Sequence, residues 1–173
     1  MMEALENGAG YTDHLASLQF NKKHDVFIEP LLENGIIYKS LTSDHHQNNC
    51  DTSCYDCLCD YYNQQKHKLL NWRLGLDIAF LSNNSNYLPL YTEENGYWFS
   101  LLLKTENILN KNFPDVNLVK NDTFWYTYSE NKVRFIYHPL WSDNYILEKC
   151  KLINATQGNT NYVSLLEFIN NPF

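Results

Sequence analysis

Four of the five cysteines of this chain, Cys50, Cys54, Cys57 and Cys59, crowd into ten residues of a polar segment, and Cys150 stands far away. Thiolates and a neutral imidazole are the ligand set of tetrahedral zinc, and pairs three or four residues apart let one loop wrap an ion with its sulfurs turned inward. His67 follows Cys57 by ten residues, at the start of an apolar helical pattern. A histidine there is a common way to close the fourth position.

The spacing leaves that fourth position open between two residues. Cys57 and Cys59 can both bind only if the backbone is extended between them, whereas His67 gives a wider bite and ties the helix to the loop. The expected set is Cys50, Cys54, Cys57 and His67, with Cys59 as the alternative. A set closed in this way has no position for an activated water, so its zinc is structural and contributes folding energy. Redox use of the Cys54 and Cys57 pair is the weaker rival, because nothing around it resembles a strand-to-helix thioredoxin site. His45 and His46 lie in the polar run 43–49 and are expected to be bystanders.

Beyond the cysteines, 173 residues with 44% hydrophobic content suffice for one globular domain with its own core, expected over 1–173. The net charge of −7 argues against an autonomous duplex-DNA binder, and Arg73 and Arg134 are the only arginines. No apolar run reaches eighteen residues and no basic stretch followed by an apolar one opens the chain, so no membrane partner and a cytoplasmic location are expected.

Periodicity supplies the elements. A Gly-rich turn at Gly8 and Gly10 leads into a short helix with Tyr11, Leu15 and Leu18 on one face. A longer helix is expected over 64–81, with Leu69, Trp72, Leu76 and Phe80 sharing a face, so that zinc loop and helix together span 50–81. Another should run from about 96 to 110 before Pro114. Residues 123–128 and 133–138 read as a hairpin, 142–153 as a further helix, and 163–169 as a short apolar element. The expected fold class is α+β, with helices packed on a small, mainly antiparallel sheet and a structural zinc loop.

Several segments carry a resemblance: Leu5 to Tyr11, Cys50 to Leu58, Asp60 to Gln64, His67, Leu69 with Leu70, Trp72 to Asp77, and His138-Pro139-Leu140-Trp141. In this order they resemble the MrfA-like zinc-binding C-terminal domain of DEAD/DEAH-type helicases, especially its version in proteins related to DrmB of the DISARM anti-phage system. The middle block is specific and the flanking ones supportive. A basic residue more often stands in the family where Cys59 stands here, which strengthens His67 as ligand, and an acidic one often stands where Asn71 is. The resemblance implies a zinc-bearing accessory domain of an ATP-driven DNA translocase in phage defence or DNA repair. Together with the abrupt opening at a Gly-rich turn, it leads us to expect the C-terminal piece of something longer. The sequence holds neither a Gly-x-x-x-x-Gly-Lys-Ser/Thr loop nor an Asp-Glu-x-His/Asp box, so the expected partner is a helicase/ATPase motor on another polypeptide, with DNA a further partner. The chain itself is expected not to be an enzyme.

Other features have weaker claims. Asp115 with Glu130 and Lys132 has the formal spacing of a restriction-type nuclease, but Glu130 falls at the expected hairpin tip. Gly8 and Gly10 lack the lysine or hydroxyl that phosphate binding needs. Arg73 either contacts phosphate or, by preference, pairs with Asp77 one turn on. Among the aromatic residues only Tyr61 and Tyr62, beside the zinc loop, are candidates for base stacking or partner contact. His138 is expected to be structural.

Overall fold

The computed structural model describes residues 28–129, 132–157 and 160–172. The expected helix around Tyr11, Leu15 and Leu18 lies outside the described residues. Two compact units divide the chain: one comprises Ser53–Ser85 and the residues up to His46, the other Gln47–Thr52 and Asn86–Phe173.

In the first unit a 3-10 turn at Glu29–Leu31 leads into helix α1, Ile36–Leu41. Gly35 is required between them, because a Cβ there would overlap the Pro30 carbonyl. Helix α2, Asp44–Asn49, follows at once, with Ser43 accepting a hydrogen bond from the His46 amide. Helix α3, Trp72–Asn83, buries Trp72, Leu76 and Ala79 on one face, and Phe80 meets Tyr38 of α1 edge to face at 5.8 Å.

The expected helix over 64–81 divides. Residues Tyr61–Leu69 form 3-10 turns, and α3 begins only after Asn71, whose side chain accepts from the Arg73 and Leu74 amides. An N-cap of this kind fixes a helix start, since the capping residue has extended backbone. Leu69 is therefore off the apolar face that it was expected to share and is 82% exposed.

The second unit carries the sheet. Strands β1 (Asn117–Lys120), β2 (Trp125–Ser129), β3 (Lys132–Tyr137) and β4 (Thr160–Ser164) lie in the order β1-β2-β3-β4. The first two pairings are antiparallel, with Trp125 opposite Ile136, and β4 runs parallel to β3. A parallel neighbour needs a crossover, and helix α5, Asp143–Gln157, supplies it. Helix α4, Phe99–Asn112, precedes the sheet, and α6, Leu165–Asn170, continues directly from β4.

Strand β3 is central and buried on both faces: Phe135 and Ile136 are fully enclosed although they point to opposite sides. Tyr91 spans this core, its hydroxyl donating to the Ile136 carbonyl and accepting from the Trp125 amide. The fold class is thus α+β with a mixed, mainly antiparallel sheet. The hairpin lies within two residues of its expected position, whereas the apolar element at 163–169 is the end of β4 followed by α6.

Candidate metal centre

His46, Cys50, Cys54 and Cys57 form one cluster, each offering one ligand atom, with all of these atoms within 4.8 Å of one another. None of the five cysteines is in a disulfide. Local structure explains the convergence. His46 lies on α2 and Cys50 directly follows it, four positions on, the separation that brings side chains together on a helical turn. From Cys54 the chain folds into a tight knuckle: the Cys54 carbonyl accepts from the amides of Cys57, Leu58 and Cys59, and the Cys54 amide donates to Cys57 Sγ at 3.1 Å. Lys104 of α4 holds the intervening stretch, its Nζ donating to the Asn48 carbonyl and to Asp51 at 2.7 Å.

The imidazole of His46 is oriented by its other nitrogen. Nδ1 lies 2.9 Å from the Leu41 carbonyl, an acceptor, so Nδ1 carries the proton and the lone pair of Nε2 points at Cys54 Sγ, 3.6 Å away. Trp72 packs edge-on against the ring at 5.2 Å. Cys54 and Cys57 sulfurs are 3.7 Å apart. Tetrahedral zinc, with Zn–S of about 2.3 Å and Zn–N of about 2.0 Å, places two sulfurs about 3.8 Å apart and a sulfur and nitrogen about 3.6 Å apart. The cluster therefore has the chemistry and the dimensions of a metal site, with Cys50 and His46 buried and Cys54 and Cys57 partly so.

Three of the residues expected as ligands, Cys50, Cys54 and Cys57, come together, and the fourth, His67, lies apart from them. His67 is not in the cluster: its Nε2 lies 2.7 Å from Asn63 Oδ1 and 3.0 Å from the Asp60 carbonyl. Both partners are acceptors, so Nε2 is protonated and has no lone pair for a metal. His46, expected to be a bystander, lies in the cluster with the three cysteines. Cys59 is also outside the cluster, with its sulfur 3.4 Å from Ser53 Oγ. The signals for His46 were Ser43 as a helix N-cap and the four-residue step to Cys50.

The other candidates fall out as follows. Arg73 is fully buried, its guanidinium 4.2 Å from the Trp72 ring centroid, and is not available to phosphate. Tyr61 and Tyr62 are 74% and 93% exposed. Glu130 lies outside the described residues, Asp115 sits in the turn before β1, and Lys132 opens β3. His138 is fully buried between Tyr91 and Trp98, and its Nδ1 accepts from the Leu140 amide. Among the described residues no helix is long and apolar enough to cross a membrane.

No family model, curated protein or solved structure matches this chain.

Proposed function

We propose that this protein is a structural zinc module, the non-catalytic accessory part of a helicase-like DNA-processing machine whose ATPase motor is another polypeptide. The observation that carries the metal part is the spacing of His46 Nε2 and Cys57 Sγ from Cys54 Sγ, 3.6 and 3.7 Å. Four protein ligands fill a tetrahedral shell, so the ion stabilises the loop and offers no site for an activated water. His46 and the three cysteines would hold it, and zinc would supply a fixed cross-link between α2 and the knuckle.

The helicase context, in anti-phage defence or DNA repair, rests on the ordered resemblance of the segments from Leu5 to Trp141; in this reading His46 takes the place of His67 as the ligand histidine. In this reading the module docks to the motor or guides DNA past it in the cytoplasm. Its test is metal analysis of protein purified without added zinc, together with incubation on plasmid DNA with magnesium. One zinc per chain and intact plasmid are expected. A metal-free folded protein, or cleavage abolished by Glu130→Gln, contradicts the reading and favours the nuclease built on Asp115, Glu130 and Lys132.

A further inference from the structure

The 3-10 segment Tyr61–Leu69 leaves the metal loop with an unusual surface. Tyr61 and Tyr62 are 74% and 93% exposed, Leu69 82%, and Tyr55, just before the segment, 70%. Single exposed apolar side chains are ordinary, but Tyr61 and Tyr62 meet edge to face at 5.6 Å, and an exposed aromatic pair of this kind marks a contact surface. No acidic residue lies within Tyr61–Leu69, and its last turn carries Lys66 and Lys68, both exposed, in a chain of net charge −7. Of the nearest acids, Asp60 turns its carboxylate back to cap the Tyr62 amide at 2.9 Å, and Asp56 remains exposed.

The backbone under these side chains is fastened in place. Asp60 and Asn63 form a reciprocal capping box, and Asn63 Nδ2 donates to the Leu58 carbonyl. His67 joins Asp60 and Asn63 from the far end, and Ser53 Oγ donates to its carbonyl. A preorganised platform loses little entropy on binding.

We propose that Tyr61–Leu69 binds single-stranded nucleic acid, with Tyr61 and Tyr62 stacking on unpaired bases and Lys66 and Lys68 contacting phosphates. Aromatic rings beside lysines recognise any base through its π-face. Two lysines without an arginine are too few to hold a duplex through its backbone, whose bases are in any case stacked away. Stacking is what this surface offers, and it selects the unpaired strand. The inference rests on the reading of the chain as a DNA-handling module and names its contact face.

The test is fluorescence anisotropy of the full chain with a labelled oligothymidylate of about 20 nucleotides and with a duplex of equal length, with zinc content measured on every preparation. Binding of the single strand in the range of roughly 1–100 μM at low salt is expected, with log K falling against log salt with a slope of about −1.4 for two phosphate contacts. Tyr61→Ala with Tyr62→Ala should weaken it by about tenfold or more, Tyr62→Phe should leave it unchanged, and Lys66→Ala with Lys68→Ala should flatten the salt slope. Both tyrosines are solvent-exposed, so the variants keep the wild-type zinc content and circular dichroism. A wild-type protein that holds zinc but binds no single strand, prefers the duplex, or binds equally well without the tyrosines overturns the proposal and leaves the metal module standing; such a surface would serve a protein partner. Tyrosine-dependent binding by a zinc-free protein upholds this surface and overturns the metal reading instead.

Discussion

Cys54 Sγ lies 3.6 Å from Nε2 of His46, the separation that a shared tetrahedral ion imposes on a thiolate and an imidazole. It arises because Nδ1–H donates a hydrogen bond to the Leu41 carbonyl at the end of α1, which leaves the lone pair on Nε2. A backbone group thereby fixes the tautomer of His46, as outer partners of metal-bound histidines commonly do. Sequence, local structure and chemistry meet here: Ser43 starts α2, α2 presents His46 beside Cys50, and the knuckle at Cys54 supplies the remaining sulfurs.

Chelation of the metal should destabilise the protein. A ligand that binds only the folded state at a free concentration of 1,000 times its Kd stabilises it by about 4 kcal/mol. A strong chelator should therefore lower the thermal midpoint by several degrees, and added zinc should restore it; differential scanning calorimetry measures both. Equal midpoints in the two states would mean that no metal is bound.

Cys59→Ser should keep the full metal content and change stability by less than about 1 kcal/mol, because the Cys59 sulfur is outside the cluster and meets only a hydroxyl, Ser53 Oγ at 3.4 Å. Inductively coupled plasma mass spectrometry and urea unfolding check the two halves of this expectation. Loss of the metal would make Cys59 a ligand.

Tyr91→Phe should cost about 1–3 kcal/mol in urea unfolding, since the hydroxyl it removes serves the buried Ile136 carbonyl and Trp125 amide. Burial pushes the Tyr91 phenol well above its ordinary value of 10.0, so the folded protein holds that proton more tightly than the unfolded chain does. Its contribution is fully present below pH 10 and is lost as the pH rises further. The wild type should lose stability above that pH more steeply than Tyr91→Phe does.

Spacing made Cys50, Cys54 and Cys57 legible as a group, because sequence proximity itself limits where a loop can place its sulfurs. His46 was harder to place beside them, because the run from Asp44 to Asn49 is polar throughout and offers no apolar periodicity to betray a helix, leaving only Ser43 and the four-residue step to Cys50 as signals. Apolar periodicity also overran its end at Leu69: one capping residue, Asn71, overrides a pattern that continues across it. In the sheet, β2 and β3 were visible through their aromatic and β-branched residues. Strand β4 was not, since Thr160-Asn161-Tyr162 takes its place by pairing with β3 across the whole of α5, a partner remote in sequence. The α+β class is independent of these boundaries because it depends on which elements exist more than on where each begins.

The most direct test is metal content by native mass spectrometry on the wild type, His46→Ala and His67→Ala, each purified without added zinc. Losing an outer partner of a metal ligand alone costs about 10–100-fold in affinity, so losing the ligand His46 itself should cost more and leave the purified variant largely metal-free. The account predicts one zinc per chain in the wild type and in His67→Ala, and its loss in His46→Ala. Zinc retained by His46→Ala and lost from His67→Ala would contradict it and return the fourth ligand to His67.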